Sequence, residues 1–270
     1  MSRCDIVFGF SEVELKKIPS NSVDLIITSP PYAERRKKVY GGVPEDKYVE
    51  WFNPIAIEIK RILKPTGSFF LNIKPHTKKG ERSLYVFDLI LSLKRDVGLW
   101  FVEEYCWVKN AFPTGVHGRF KNGFEPVHHF TKANPNKITF NALACGTPVS
   151  DETKARAFRK NCKTPLNGSE MVVDRDNFKN LNIARPSNVV VANNVTNQFK
   201  IKSKHSAVFA EKMVEFFVKS FSNEGDLIID PFAGSGTVGI VCIKENRCCV
   251  LIDKDEKSVE IIKSNIEKNL

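Results

Sequence analysis

The chain has 270 residues, 42% of them hydrophobic, enough for a sizeable core in one large domain or in one domain carrying an insert. A formal net charge of +10 points to a polyanionic partner such as nucleic acid, the bland alternative being a basic but inert surface. No apolar run approaches the ~20 residues needed to span a bilayer, and the opening MSRCDIVFGF has no long apolar h-region, so neither a membrane span nor a signal peptide is expected.

In chain order, CDIVF (4–8) reads as a strand, SEVELKKIP as a short helix and VDLIITS (23–29) as a second strand. DKYVEWFNPIAIEIKRIL (46–63) has helical apolar spacing, with Pro54 expected to kink or restart it. PTG reads as a turn, SFFLNI (68–73) as a strand, and SLYVFDLILSLKRDVG (83–98) as a helix ending in glycine. WFVEEYCWVK (100–109) alternates like a strand, and PVHHFTK (126–132) is a candidate for another. From about 134 to 188 apolar runs shorten and Asn, Lys, Arg and Asp dominate, which marks an insert or a small recognition module. NVVVA (188–192) resumes strand character. SAVFAEKMVEFFVKSF (206–221) is amphipathic, with Ala210, Met213, Val214, Phe217 and Phe221 on one face. DLIID, the loop PFAGSGTVG, CCVLID and a terminal helix follow. Strands alternating with helices predict an α/β fold around a mostly parallel sheet.

Seven cysteines (Cys4, Cys106, Cys145, Cys162, Cys242, Cys248 and Cys249) form no CxxC pair and are odd in number. Reduced thiols in a cytoplasmic protein fit this best, with Cys248 and Cys249 as packing residues. His76, His117, His128, His129 and His205 lack ligand-like spacing with cysteines or acids, so no metal is expected, and the adjacent pair His128 and His129 is read as structural or surface.

DPFAGSGTVG places Gly234, Gly236 and Gly239 in G-x-G-x-x-G spacing between a strand and a helix, and Asp253 ends the next strand. That spacing fits a dinucleotide fingerprint, but two features argue against NAD. Only one strand and one helix follow the loop, so the rest of the sheet comes from residues before it. Asp230 stands at the loop's mouth, where it would repel a pyrophosphate. An acid there suits a cationic or zwitterionic ligand with an amino-acid tail.

TSPPYAERRKKVYGG (28–42) ends an apolar run with a hydroxyl, a diproline, an aromatic and four cations. Together TSPPY and DPFAGSGT resemble the catalytic and S-adenosylmethionine motifs of DNA amino-methyltransferases. Their order, catalytic motif first, is that of the family's β group. NSVDLIITSPPY, RILKPTGSFFLNI, RFKNGFEPVHHFTK and KHSAVFAEKMVEFFVKSF also look like family segments, so the resemblance covers most of the chain. It implies a circularly permuted Rossmann-like methyltransferase fold, with 1–133 and 189–270 as catalytic domain and 134–188 as target-recognition insert. The Ser-Pro-Pro-Tyr form is typical of cytosine-N4 enzymes, whereas adenine-N6 enzymes more often begin with Asp or Asn.

What the resemblance implies for the site is specific. Ser29, Pro30, Pro31 and Tyr32 carry catalysis, with the Ser29 hydroxyl and the Pro30 carbonyl accepting the target amine's protons. Tyr32 offers a ring face to a flipped base, its hydroxyl being dispensable. Asp230, Pro231, Phe232, Ala233, Gly234, Ser235, Gly236, Thr237, Asp253, His205, Ala207 and Phe209 bind the cofactor, S-adenosyl-L-methionine. Arg35, Arg36, Lys37 and Lys38, with Lys154, Arg156, Arg159 and Lys160 in the insert, are candidates for DNA contact against the alternative of solvated charge runs. Double-stranded DNA is the implied substrate, and a restriction–modification system with a cognate endonuclease the implied setting. Oligomeric state stays open, a homodimer included. Three departures stand out: Phe10 where members often have Asp, Leu251 where a glycine is usual, and Ser258 where an aromatic is frequent. No cofactor contact is carried to position 10. The rival readings are an adenine-N6 enzyme, a non-catalytic nucleic-acid-binding protein with a relic cofactor fold and, more distantly, an NAD oxidoreductase.

Overall fold

The computed structural model describes residues 3–34, 42–109, 118, 120–152, 182–193 and 209–269. They fall into two compact units, Met1–Asn141 with Asn188–Leu270, and Ala142–Ser187.

The larger unit is built on an eight-stranded sheet. Its strands are β1 (Cys4–Phe8), β2 (Val23–Thr28), β3 (Leu63–Asn72), β6 (Trp100–Val108), β7 (Phe124–Thr131), β10 (Val189–Val191), β11 (Leu227–Asp230) and β12 (Cys248–Asp253). A hairpin of β4 (Thr77–Lys78) and β5 (Glu81–Arg82) stands apart from it. The order across the sheet is β1-β12-β11-β2-β3-β7-β6-β10. The first five strands run parallel, β7 is antiparallel to both its neighbours, and β10 lies parallel to β6.

Period-two alternation sends side chains of one strand into two cores. Val23 and Ile26 of β2 with Phe69 and Leu71 of β3 join one core; Leu25 and Ile27 with Phe70 join the other. The first core is closed by α1 (Ser11–Glu14) with its following turn, α2 (Tyr48–Ile62) and α3 (Tyr85–Arg95). Phe52, Ile55, Ala56, Ile59 and Ile62 supply the buried stripe of α2. The second is closed by α4 (Glu211–Phe221), α5 (Thr237–Lys244) and α6 (Glu256–Glu267). Met213, Val214, Phe217 and Phe221 lie buried along α4, as their spacing predicts. Truncating a fully buried ring such as Phe217 to alanine is expected to cost about 3–5 kcal/mol.

Two local expectations change. Helix α2 continues through Pro54 without a restart; the proline falls about two turns from its start and is flanked by the buried Phe52, Ile55 and Ala56. PTG is absorbed into β3: Val23 pairs Leu63 and Leu25 pairs Ser68, so residues 64–67 bulge opposite Asp24. Lys64 Nζ reaches both Asp24 oxygens at 2.7 and 2.9 Å, holding the bulge in place.

In the smaller unit β8 (Thr147–Pro148) pairs antiparallel with β9 (Ile183–Ala184). Among the described residues no helix is long and apolar enough to cross a membrane.

Candidate active site at the carboxyl ends of the parallel strands

β2 ends at Thr28 and β11 at Asp230, and the two strands are neighbours. Two segments about 200 residues apart in the chain are thereby joined by one bond: Thr28 Oγ1 donates to Asp230 Oδ1 at 2.7 Å. Phe232 N donates to the same oxygen at 3.0 Å. Among the described residues Oδ2 has no partner, so one side of the carboxylate remains for a ligand. Burial pushes the Asp230 carboxyl up to about 7; the Thr28 and Phe232 bonds pull it down, and the charge of Asp253 adds to the rise. A buried acid poised there is a receptor for positive charge.

The loop that follows has the backbone its glycines allow. Gly234 and Gly236 sit at φ +54° and +79°, left-handed values that side chains disfavour. Gly236 is also the N-cap of α5. Asp253, at the end of the adjacent β12, accepts from Gly234 N at 2.8 Å through Oδ2 and from Asp255 N at 2.9 Å through Oδ1. Ser11 Oγ bonds the Pro231 carbonyl at 2.5 Å, and Asn265 Nδ2 the Ser235 carbonyl at 2.9 Å, so α1 and α6 brace the loop from both sides.

The departures at 251 and 258 acquire physical reasons. Leu251 is fully buried, and a Cβ added to Gly239 would lie 2.5 Å from its Cδ1, so this pair sets how closely α5 packs on β12. Ser258 Oγ and N both bond Asp255 Oδ2, completing the N-cap of α6. Phe10 is largely exposed and flanks α1.

Beyond Thr28, Ser29 is half-buried and Pro30 buried. Tyr48 of α2 donates its hydroxyl to the Pro31 carbonyl at 2.7 Å. No donor among the described residues takes the Pro30 carbonyl. Tyr32 donates to Asn72 Oδ1 at 3.2 Å, and Asn72 Nδ2 donates to the Pro126 carbonyl at 2.9 Å. Burial, then the charge of Glu125, raise the Tyr32 phenol well above its ordinary value, while a hydrogen bond with Ser29 opposes them. The hydroxyl, which the sequence reading held dispensable, is thus engaged in a part-buried network with Asn72.

That network has a charged neighbour which sequence reasoning missed. Glu125 Oε1 takes Lys74 at 2.5 Å and Lys109 at 2.8 Å. Burial alone would raise the Glu125 carboxyl, but the two lysines hold it below its usual range. Burial lowers the Lys109 ammonium, which also lies 3.7 Å from the Trp107 ring centroid. No local pattern signals this group, because its members come from β3's exit, β6's exit and β7.

Other candidates lie differently. Phe232 turns its ring into the first core, 5.9 Å from Trp51 and 6.5 Å from Phe52, leaving its backbone to the loop. Phe209 packs edge-on to Trp107 at 6.2 Å. Ser235 Oγ and Thr237 Oγ1 meet at 3.1 Å, and Ala233 is buried with its N–H on the Ile252 carbonyl. His205, Ala207, Arg35, Arg36, Lys37, Lys38, Lys154, Arg156, Arg159 and Lys160 lie outside the described residues. His128 and His129 are both buried in β7, so the surface alternative fails; burial depresses them to about 4 and about 3. His76, which has no acid at ligand spacing in sequence, is nonetheless grouped with Glu34 and Glu45, their ligand atoms within 4.8 Å. His76 Nε2 lies 2.7 Å from Glu45 Oε1, and Lys78 Nζ lies 3.2 Å from Glu34 Oε1.

A family model described as DNA methylase, covering N6 and N4 methyltransferases, matches residues 23–264. The chain belongs to this DNA methylase family. The type II methyltransferase M.PvuII of Proteus hauseri is 30% identical to this DNA methylase over 269 residues, covering 91% of this chain and 78% of its own. The DNA adenine methyltransferase YhdJ of Escherichia coli K12 is 26% identical over 266 residues, covering 95% and 80%. Among solved structures, the PvuII DNA methyltransferase, titled cytosine-N4-specific, superposes with a TM-score of 0.72 at 24% identity, covering all of this chain and 92% of its own. M1.HpyAVI in complex with SAM gives 0.61 at 17%, covering 97% and 98%. The architecture of this DNA methylase is thus the S-adenosylmethionine-dependent methyltransferase fold.

Proposed function

We propose that this DNA methylase transfers a methyl group to N4 of a cytosine flipped out of double-stranded DNA, at a short specific sequence, in the β-group motif order. The methyl donor is S-adenosyl-L-methionine, which when bound supplies a methyl activated by its sulfonium. The observation that carries the reading is the Thr28–Asp230 bond, which sets SPPY beside the loop DPFAGSGT at neighbouring strand ends.

The residues divide the work. Asp230 faces the ligand's ammonium end, Asp253 the ribose hydroxyls, and the backbone from Gly234 to Thr237 lets the ligand approach closely. An exocyclic amine is a weak nucleophile because its lone pair is delocalised into the base. Ser29 Oγ and the Pro30 carbonyl, accepting its two protons, favour the pyramidal geometry that frees the lone pair. With Pro31's carbonyl held by Tyr48 and φ fixed at two prolines, the Pro30 carbonyl is aimed before the base arrives. The Tyr32 ring gives the base a stacking face. S-adenosylmethionine bound there would supply the methyl group and leave as the neutral thioether, and the proton that the amine gives up would pass beside Ser29 Oγ to solvent water.

Ser29 in place of an acid favours cytosine. The relative named as an adenine methyltransferase keeps adenine N6 as the second reading. Nucleoside analysis of DNA from a host expressing the chain decides: N4-methylcytosine supports the proposal, N6-methyladenine replaces it, and no methylated base returns the non-catalytic reading. Sequencing the same DNA for modified positions gives the target. The type II relative M.PvuII supports a restriction–modification setting with a cognate endonuclease. The unit Ala142–Ser187 is the candidate for target recognition, with Lys154, Arg156, Arg159 and Lys160 inside it. Arg35 to Lys38 follow the catalytic tyrosine directly and are candidates for phosphate contact.

A further inference from the structure

Immediately after Asn72 the chain leaves the sheet and makes the β4–β5 hairpin, all of whose residues from Thr77 to Arg82 are exposed. Thr77 pairs Arg82 and Lys78 pairs Glu81, so Lys79 and Gly80 form a two-residue turn. Their φ values are +49° and +89°, the signature of a type I′ turn. Such turns favour Asn-Gly, Asp-Gly or Gly-Gly. Gly80 fits; Lys79 occupies a left-handed conformation that a long L side chain disfavours. A residue held in a poorly populated conformation at an exposed tip points to a use for its side chain.

The tip is basic. Lys78, Lys79 and Arg82 outnumber the one acid, Glu81. Among the described residues neither Lys79 nor Arg82 joins an ion pair. The hairpin is also anchored beside the catalytic motif. Lys78 Nζ lies 3.2 Å from Glu34 Oε1, and Glu34 is two residues beyond Tyr32. His76 Nε2 lies 2.7 Å from Glu45 Oε1, and Ser83 Oγ donates to Glu45 Oε2 at 2.5 Å. Glu34 and Glu45 thus tie the hairpin's base to the two stems that flank the basic segment 35–41.

We infer that this hairpin is a DNA-contacting element, with Lys79 and Arg82 binding backbone phosphates of the bound duplex. The inference rests on the DNA methylase reading and adds to it a contact outside both motifs and outside the Ala142–Ser187 unit. Phosphate is the fitting partner because it accepts both the point charge of Lys79 at the two-residue tip and the guanidinium fork of Arg82.

Lys79→Asn tests it cleanly, since asparagine removes the charge and suits the turn better, so the fold is kept or strengthened. Lys79→Asn with Arg82→Gln extends the test. Binding of a mixed-sequence duplex by the full chain is measured across salt, alongside S-adenosylmethionine affinity. Each lost phosphate contact is expected to flatten the slope of log K against log salt by about 0.9. For the double variant, the affinity lost between 50 and 200 mM salt shrinks by about tenfold relative to wild type. Cofactor affinity and the methylated sequence stay as in wild type. A slope equal to wild type overturns the inference, and so does a changed methylation sequence, which would make the hairpin a base reader. The wild-type control separates the two levels: if wild type itself shows no salt-dependent DNA binding, the DNA methylase reading has failed and the hairpin assignment falls with it.

Discussion

The carboxyl group of Asp230 should make cofactor binding depend on pH near neutrality. Burial lifts it to about 7, so it is roughly one tenth ionised at pH 6 and nine tenths at pH 8. If only the carboxylate form holds the ligand's ammonium group, affinity contributed through Asp230 rises about tenfold across that interval, or about 1.4 kcal/mol. The ligand's own α-amine loses its proton above roughly 7.7–8 and pulls the other way. The ratio of wild-type to Asp230→Asn affinity, with the wild-type value referred to the fraction of free ligand still protonated, isolates the carboxyl term. Calorimetry of S-adenosylmethionine binding at half-unit pH steps gives the ratio, which should climb about tenfold from pH 6 to pH 8 and then level. Repeating the titrations in buffers of different ionisation enthalpy counts the proton released at pH 6. A flat ratio, with no proton released, would mean that Asp230 does not face the ammonium group, and the argument against a pyrophosphate ligand would lose its residue.

The same group makes a stability prediction. Its folded value lies above the ordinary carboxyl value of 3.8, so the stability linked to it is present below that value and is lost as pH rises through about 7. Asp230→Asn should therefore melt higher than wild type at pH 8, by at most about 4 kcal/mol, and show the smaller difference at pH 4. Thr28→Val removes a donor that pulls the Asp230 carboxyl down, so the midpoint of the binding profile should move up in pH, read in the same calorimetry. Asp253→Ala should weaken S-adenosylmethionine binding by roughly 1.5–3 kcal/mol, as for one hydrogen bond to a charged group. Ser29→Ala should slow single-turnover methyl transfer by about 10²-fold with cofactor affinity little changed; a wild-type rate would remove Ser29 as an amine acceptor. Tyr32→Phe should lower the rate, because it breaks the Asn72 bond and leaves a buried acceptor short; a silent variant would restore the ring-only role.

What the sequence disclosed follows the range of the physics. Apolar periodicity is local, and β1, β2, β11, β12 and the buried stripe of α4 lie where the spacing places them. The glycines of the loop are legible because left-handed φ is a property of single residues. Pro54 does not restart the helix, because a helix-breaking tendency is local, while the burial of Phe52, Ile55 and Ala56 that holds α2 together is not. PTG misled in the opposite way, since a turn-like triplet can bulge inside a strand when its neighbours still pair. The Lys74–Glu125–Lys109 group and the meeting of Glu34, Glu45 and His76 were illegible, because each gathers residues from separate elements with no shared period. The bond of the Tyr32 hydroxyl was illegible for the same reason: its partner Asn72 is 40 residues away.

The order of the two motifs, SPPY before the glycine loop, is compatible with the sheet. In open parallel sheets ligands settle outside the carboxyl ends of strands, at the point where successive connections diverge. Here β2 leads through α2 to β3 on one side, while β11 leads through α5 to β12 on the other, and β2 and β11 are neighbours. The crevice between them is fixed by that divergence, and chain order has no part in it. Its two walls are Thr28, continuing into SPPY, and Asp230, opening the glycine loop; their side chains bond across it. The helices that diverge from the crevice bury opposite faces of the sheet, so each wall is backed by its own core. A chain cut anywhere else in the sheet would keep the same two walls. SPPY, proposed to present the amine's acceptors, can therefore come first and the glycine loop, proposed to hold the cofactor, last, with no change in the geometry where they meet.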